Sequence, residues 1–254
     1  MQMNNTFRLN EEQPVFSATV TTFWRKHFLT GTVLHHDDSF SLAVSPDLDD
    51  ENRAMVLHRP DTPVQAVVTT AVADRLGLQE GAALSEAEFR HRLDAAQILL
   101  NGADAVFYYL EPAKQLLLQE PPAGQIRQLT ELDRVAFEEF QATASAEDLD
   151  AAYVELDHWL VFGAFVGTQL VCAASMYPWD DALIADVGVL TLPTFRGKGH
   201  ARNVVRAISR QAYAQGYEPQ YRCQVDNHAS LALAAAIGLT EFGKWEVVLP
   251  DSPN

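Results

Sequence analysis

The chain has few cysteines and few basic residues, and each shortage excludes a class of protein. Its two cysteines among 254 residues, Cys172 and Cys223, allow neither a disulfide framework nor a zinc-ligand cluster. Both lie in apolar, strand-like runs, so we expect buried thiols and a reducing environment. Lysine and arginine number 18 against 34 aspartates and glutamates, a formal charge of −16. Such a surface repels phosphate backbones and anionic lipids, which argues against nucleic acid and membrane partners.

Long apolar runs are missing as well. No stretch approaches the ~18 apolar residues that span a bilayer. Residues 1–6 lack the basic and then apolar pattern of a signal peptide, so we expect a cytoplasmic protein. The histidines of the first half are scattered without a second ligand at metal spacing, and we predict no metal site. The excess of acid favours a cationic substrate, although solubility alone also accounts for it.

The prolines and the glycine of the stretch Glu111–Gly124 indicate a connector between two halves. We therefore predict two domains, residues 1–122 and residues 123–254. The first half carries no recognisable chemical motif. It is either a degenerate copy of the second half, which no repeated motif supports, or a separate α/β cap. Its hydrophobic patterns predict helices over 14–29, 63–77 and 85–99, and strands over 40–44, 54–57 and 105–110.

The second half has a more regular pattern. Its first helix, over 129–140, has Leu132, Val135, Ala136 and Phe140 on one face. Gly167-Thr168 separates two apolar runs and predicts a tight hairpin. The remaining patterns predict a helix over 146–156, a strand over 183–190, a helix over 199–215, a strand over 221–225, a helix over 229–237 and a last strand over 242–249.

A glycine-containing loop, Arg196-Gly-Lys-Gly-His-Ala201, stands between a predicted strand and a predicted helix. The first turn of a helix leaves backbone N–H groups unpaired and carries a partial positive charge. Glycines allow an anion to approach the backbone closely, and Arg196 and Lys198 add charge. The loop therefore predicts a pyrophosphate site.

Three ligands carry such a group. A nucleoside triphosphate site needs Gly-Lys-Ser or Gly-Lys-Thr, but Gly199 follows Lys198. A dinucleotide site needs a third glycine where this chain has Arg202, and an acidic residue about 20 positions later that is not found here. Coenzyme A is the third ligand, because Arg196, Gly199 and Ala201 fit the pattern Arg/Gln-x-x-Gly-x-Gly/Ala.

That pattern resembles the pyrophosphate loop of the GNAT superfamily of N-acetyltransferases. A second stretch, Asn227-His-Ala-Ser230 followed by a short helix and Gly238, resembles the other GNAT signature and follows in the right order. The resemblance covers about residues 124–249. It implies an α/β (α+β) fold: a mixed, mostly antiparallel central sheet flanked by helices, with an N-terminal α/β domain attached.

The resemblance also implies a mechanism and a set of site residues. Acetyl-CoA is the expected acyl donor and a primary amine of a small molecule or peptide the acceptor, attacking directly. The expected cofactor-binding residues are Arg196, Gly197, Lys198, Gly199, His200, Ala201, Asn227 and Ser230. Backbone groups of Val189, Leu190 and Thr191 would pair with the pantetheine, and the N–H of Val189 or Leu190 would act as the oxyanion donor. Asp186 is the candidate base, with a solvent-facing carboxylate as the alternative.

Two features leave alternatives open. Many relatives carry a tyrosine that protonates the departing thiolate, and Ala234 stands at that position here. The acid would then be water or another residue such as Tyr177. Asp180 and Asp181 would line a cationic substrate entrance or form a hairpin turn.

The competing functions are a non-catalytic acyl-CoA-binding or sensor module and a dinucleotide enzyme. The oligomeric state is open, with a homodimer as one option.

Overall fold

The computed structural model describes residues 15–81, 83–121, 125–179 and 182–253. The α-helices are Ala18–Leu29 (α1), Thr70–Arg75 (α2), Glu86–Ala95 (α3), Glu111–Leu118 (α4), Arg134–Thr143 (α5), Ala146–Ala152 (α6), His200–Ala214 (α7) and His228–Ile237 (α8). The strands are Thr32–His36 (β1), Phe40–Val44 (β2), Ala54–His58 (β3), Val64–Val68 (β4), Asp104–Tyr108 (β5), Ile126–Gln128 (β6), Leu160–Val166 (β7), Gln169–Pro178 (β8), Ile184–Thr191 (β9), Glu218–Gln224 (β10) and Thr240–Val247 (β11). Among the described helices, none has the length and apolar character needed to cross a membrane.

These strands lie in one sheet, in the order β1-β2-β4-β3-β11-β5-β10-β9-β8-β7-β6. The β2/β4 and β9/β10 pairs are parallel, and the other neighbouring pairs are antiparallel. The sequence prediction of a mixed, mostly antiparallel sheet flanked by helices is therefore confirmed.

The two halves of the chain meet inside this sheet. Strand β5 comes from the first half and lies between β10 and β11, with Phe107 opposite Tyr221 on one side and Glu241 on the other. The sheet is therefore continuous across the two halves. The predicted domain boundary at residues 122 and 123 touches positions outside the described residues, and the division into two domains stays a prediction.

Helices cover both faces of the sheet. Helices α7 and α8 bury Val204, Ile208 and Ile237 against one face, in a core that includes Phe107. Helix α1 packs on the other face beside Tyr108. Successive side chains of a strand point to opposite faces, so β5 contributes Phe107 to the α7 side and Tyr108 to the α1 side.

Two predictions for the first half were wrong. The segment 63–77 is not one helix, because Val64–Val68 forms β4 between β2 and β3, and α2 begins only after the Thr69 cap. Neighbouring strands on both sides outweigh the helical spacing of short apolar residues. Part of the predicted connector is helix α4, because Pro112 lies in its first turn, where proline needs no N–H partner. Strand β1 was not predicted.

The apolar face predicted for the helix over 129–140 was also wrong in part. Phe140 is buried, but Leu132 and Val135 are 97% and 69% exposed. Phe137 is the buried partner instead, because a short 3₁₀ turn over Glu131–Asp133 precedes α5 and changes the helical phase.

Candidate functional site

A cleft opens where β9 and β10 diverge. The two strands pair only through their first residues, ending at Asp186 and Gln220. Farther along, β9 stays paired with β8 and β10 with β5, so a gap separates them. The cleft has a loop compartment of about 550 Å³ beside the start of α7 and an inner compartment of about 350 Å³ beside Asp186. Both compartments are lined by Ala151, Ala152, Val189, Tyr221, Asn227 and Ser230.

The backbone of β9 faces this gap at alternate residues. The N–H of Leu192 donates to the carbonyl of Val171 beside β9, at 3.0 Å. Backbone groups of successive strand residues point to opposite neighbours, so those of Leu190 also point to β8. Val189 and Thr191 direct their N–H and C=O groups away from β8, and the carbonyl of Thr191 accepts Nε of Arg196 at 3.1 Å. The geometry thus favours Val189 over Leu190 as a donor to a ligand in the cleft.

The glycine loop forms the start of α7. Gly197 and Gly199 have φ of 74° and 81°, a left-handed conformation that favours glycine. An added Cβ at Gly199 would meet no atom within 4 Å, so the backbone conformation rather than crowding requires glycine there. The N–H of Asn203 bonds the carbonyl of Gly199, which leaves the N–H groups of the preceding residues without helical acceptors. Donors in this arrangement can bind an anion.

The two cations of the loop have different surroundings. Arg196 lines the loop compartment, and Asp148 holds its guanidinium at 2.8 Å. The Lys198 ammonium contacts the carbonyl of Thr194 at 3.0 Å and lies 5.0 Å from the Phe195 ring centroid, outside the cleft lining. The loop residues that line the compartment are Arg196, Gly197, Gly199, His200 and Ala201.

Asn227 caps α8 at the mouth of the cleft. Its side-chain oxygen accepts the N–H of Ser230 at 3.0 Å, so the carboxamide NH₂ is the end left for a ligand. Beside it, Tyr221 of β10 lines both compartments and is 3% exposed. Burial raises the pKa of the Tyr221 hydroxyl to about 12.

Asp186 lies in the inner compartment, 7% exposed and strongly hydrogen-bonded. Arg222 donates to its Oδ2 through Nη2 at 2.7 Å and Nε at 3.1 Å. Gln220 Nε2 donates to Oδ1 at 3.1 Å, and the Tyr177 hydroxyl donates to Oδ2 at 3.4 Å. A carboxylate with four donors around it has little acceptor capacity left for a substrate proton.

A second carboxylate of the inner compartment is less fully paired. Asp104 Oδ1 accepts Gln224 Nε2 at 2.7 Å, while the contact between its Oδ2 and Arg222 Nη1 is 3.5 Å. Burial raises the pKa of Asp104, and the positive charge of Arg222 lowers it to a smaller extent. Asp104 and Asp186 together outweigh Arg222, so these three side chains make the compartment anionic.

Three titratable rings stand beside this compartment. The ring centroids of Tyr153, His158 and Tyr177 lie 5.0–5.6 Å apart. His158 Nδ1 lies 2.8 Å from the hydroxyl of the fully buried Ser175. Burial lowers the pKa of His158 and raises that of Tyr177 to about 12, so the imidazole is neutral and the phenol protonated near pH 7.

The thiols and Ala234 have no reactive surroundings. Both cysteines are free and buried, as predicted. Burial raises the pKa of Cys172 to about 12 and that of Cys223 to about 11, so neither is a thiolate near neutrality. Ala234 is fully buried and is not part of the cleft lining, so a tyrosine has no room there.

Four residues that line the cleft were missed from the sequence, Asp104, Tyr153, Tyr221 and Arg222, and so was His158, which packs against Tyr153. One local signal was available. Gln220, Arg222 and Gln224 alternate with apolar residues in β10, which indicates that one face of this strand is polar. The rest come from distant elements whose proximity no local pattern reveals.

The sequence model of the acetyltransferase (GNAT) family matches residues 126–239. Similar solved structures include a GNAT-family protein from Novosphingobium aromaticivorans (16% identity, 59% of this chain and 65% of that one, TM-score 0.44). Another is a GNAT-family acetyltransferase from Colwellia psychrerythraea (16% identity, 71% and 70%, TM-score 0.47). A third is an aminoglycoside N-acetyltransferase in complex with CoA (20% identity, 46% and 92%, TM-score 0.37). The chain spans just under two thirds of the Novosphingobium protein. No curated protein sequence matches it. The family match covers the glycine loop, both cleft strands and the Asn227 cap, so the C-terminal half of this chain is similar to the acetyltransferase (GNAT) family over residues 126–239.

Proposed function

We propose that this protein is an acetyl-CoA-dependent N-acetyltransferase that transfers an acetyl group to a primary amine by direct attack. The acceptor is a small molecule or a peptide, and the expected location is the cytoplasm. One observation carries the proposal: the left-handed glycine loop at the start of α7 opens into the gap where β9 and β10 diverge. A loop suited to pyrophosphate therefore opens into a channel lined by backbone groups of Val189 and Thr191, of which the Thr191 carbonyl accepts Nε of Arg196 at 3.1 Å.

The loop compartment suits the donor. The first-turn N–H groups of α7 would bind pyrophosphate oxygens, with Arg196 adding charge from the rim. The backbone groups of Val189 and the N–H of Thr191 would pair with the amide-bearing pantetheine arm, as an added strand would. The carboxamide NH₂ of Asn227 is a further donor beside that path. The N–H of Val189 would stabilise the negative charge that develops on the thioester oxygen.

A protonated amine cannot attack, so a group must accept its proton. Asp186 is a poor candidate because Arg222 and Gln220 occupy its oxygens. We assign the role to the neutral imidazole of His158, whose ring packs against Tyr153 and Tyr177 at the edge of the inner compartment. The hydroxyl of Ser175 fixes the orientation of that ring.

The departing thiolate needs little help. A thiol of pKa about 8.5 is already a fair leaving group near neutrality. The raised pKa of Tyr221 makes this phenol a weak acid but keeps its O–H as a hydrogen-bond donor. Tyr221 lines both compartments, so it would stabilise the sulfur anion by a hydrogen bond while water supplies the proton.

The inner compartment suits a cationic acceptor. Asp104 has acceptor capacity that Arg222 and Gln224 do not use fully. An amine with a second positive charge would bind there, with the aromatic rings of Tyr153 and Tyr177 beside it. The overall charge of −16 would attract the same substrates from solution.

A non-catalytic acyl-CoA-binding module is the second candidate. The four donors around Asp186 and the burial of Ala234 favour it, because both remove residues that the chemistry of many relatives uses. The two functions differ in one observable. A binding module would be stabilised by acetyl-CoA but would release no thiol when amines are added.

The first experiment is a thermal-shift titration with acetyl-CoA, CoA and NADH on the wild type and Gly199→Glu. A carboxylate in the loop repels pyrophosphate. Gly216→Glu is the matched control, because Gly216 also has a left-handed φ, of 86°, and open space around its Cβ position, at the other end of α7. We expect CoA species to stabilise the wild type and the control but not Gly199→Glu.

Thiol release from acetyl-CoA with ethanolamine, putrescine and spermidine then tests transfer. Amine-dependent release would support the acetyltransferase. If the protein binds CoA but no amine of a broader set causes thiol release from acetyl-CoA, the result would favour the binding module. A shift with NADH alone would assign the loop to a dinucleotide, and no shift with any CoA species would end the proposal.

A further inference from the structure

We propose that Tyr108 and Gln220 are positioning residues that hold the Asp186–Arg222 pair in place on the acceptor side of the cleft. This inference rests on the proposed function. It assigns to the first half of the chain, through strand β5, a part in a reaction whose recognisable motifs all lie in the second half.

A chain of three hydrogen bonds carries the inference. The indole N–H of Trp24, on α1, donates to the Tyr108 hydroxyl at 2.8 Å. The Tyr108 hydroxyl donates to Gln220 Oε1. Gln220 Nε2 in turn donates to Asp186 Oδ1 at 3.1 Å. These hydrogen bonds thus connect a helix of the first half, across β5 and β10, to β9. Tyr108 and Gln220 are fully buried, and Trp24 is 3% exposed.

Chemistry allows only one direction for this chain. An indole N–H only donates, and a carboxylate only accepts. Gln220 must therefore turn its NH₂ to Asp186 and its carbonyl to Tyr108. The Tyr108 hydroxyl must then donate to that carbonyl and accept from Trp24. Burial raises the pKa of Tyr108, which keeps its proton in place. Each buried polar atom in the chain has a partner, and no second arrangement satisfies them all.

The far end of the chain orients a cation. Asp186 binds Arg222 through Nε and Nη2, which fixes the plane of the guanidinium. The guanidinium carbon lies 4.7 Å from the ring centroid of Trp179 and 5.3 Å from that of Trp245. Arg222 then presents Nη1 to Asp104, in the wall of the inner compartment.

Loss of one link should loosen this arrangement. Without the Tyr108 hydroxyl, the Gln220 carbonyl is buried and unpaired. Because an unpaired buried acceptor costs free energy, the amide is expected to rotate away from Asp186. Asp186 then loses its donor on Oδ1, and the Asp186–Arg222 pair is free to tilt. Since this pair borders the acceptor compartment, the amine step should suffer while CoA binding should not.

The test compares Tyr108→Phe with Tyr109→Phe. Both changes remove one hydroxyl from a buried tyrosine. Residues 108 and 109 point to opposite sides of the sheet, and only Tyr108 takes part in the chain of hydrogen bonds to Asp186. Gln220→Leu breaks the next link and serves where Tyr108→Phe fails to fold. Two readouts are needed. One is hydrogen exchange of the Arg222 Nε–H by NMR on arginine-labelled protein. The other is the steady-state kinetics of acetyl transfer to putrescine and spermidine.

We expect Tyr108→Phe and Gln220→Leu to speed exchange of the Arg222 Nε–H and to lower kcat/KM for the amine roughly tenfold. The KM for acetyl-CoA and the CoA-induced thermal shift should stay within about twofold of the wild type, and Tyr109→Phe should change neither readout. Unchanged Arg222 exchange in both variants would overturn the inference. So would faster exchange with normal amine kinetics, or an equal effect of Tyr109→Phe. A wild type that acetylates no amine would instead count against the proposed function, and the Arg222 readout would still decide whether Tyr108 holds the pair.

Discussion

The Cβ that alanine would add at Gly188 would lie 2.1 Å from the carbonyl oxygen of Ala152. Strand β9 and the end of α6 therefore touch backbone to backbone at this point. Gly188 and Ala152 both line the inner compartment, and the next residue, Tyr153, has a left-handed φ of 45°. The absence of a side chain at position 188 thus sets how closely α6 covers the cleft.

Gly188→Ala should force the end of α6 away from the sheet. We expect a loss of about 2–3 kcal/mol in the free energy of unfolding, because rigid backbone rather than a movable side chain meets the new methyl group. Urea unfolding measures the loss. Gly163→Ala is the matched control on β7, where the nearest atom is the end of the Leu170 side chain, at 2.5 Å. A loss as large in the control would refute the backbone explanation.

Asp104→Asn should weaken the binding of multiply charged amines. The change keeps the shape of the side chain and removes the charge that Arg222 neutralises only in part. We expect the KM for spermidine to rise roughly tenfold and that for a monoamine to change less, with the KM for acetyl-CoA unaffected. Asp226→Asn is the control, because Asp226 is exposed and does not line the cleft. Equal effects on the monoamine and spermidine would argue against a cation site at Asp104.

His158→Gln should lower kcat and alter its pH dependence. Burial lowers the pKa of His158 below the ordinary value of 6.5, so wild-type activity should fall as the pH drops through that lowered value. We expect the variant to lose roughly 100-fold in kcat and to lack this acidic limb. His91→Gln, an exposed change on α3, should leave the profile intact. If kcat of His158→Gln still falls at acidic pH as in the wild type, a group other than His158 is the base.

The same lowered pKa makes a prediction for stability. Between the folded value and 6.5, the unfolded chain binds more protons than the folded one, so the free energy of unfolding should rise with pH across that window. Above pH 6.5 the full contribution of His158 to the free energy of unfolding is present. This contribution is lost as the pH falls through the pKa of His158 in the folded protein. Urea unfolding of the wild type and His158→Gln between pH 5 and 7.5 would measure the difference. A slope that is the same in both proteins would contradict it.

The glycine loop and the Asn227 cap were predictable because their signals are local. A left-handed Gly199 before α7 and a left-handed Gly238 after α8 mark helix ends within about one residue of the predicted positions. The hairpin at Gly167-Thr168 formed for the same reason, since two residues suffice to specify it. Segment 63–77 failed because its short apolar residues suit a helix or a strand, and only neighbouring strands decide between them.

By itself, the sequence determined the parts of this protein that depend on a few consecutive residues: the left-handed glycine loop, the helix caps and the similarity of the second half to the acetyltransferase (GNAT) family. The tertiary structure decided what stands opposite that loop. Asp104, Asp186 and Arg222 are far apart in the chain and meet only because β5 enters the sheet beside β10. Whether a carboxylate acts as a base or as an anchor depends on the donors around it, and those donors come from strands whose order no local pattern encodes.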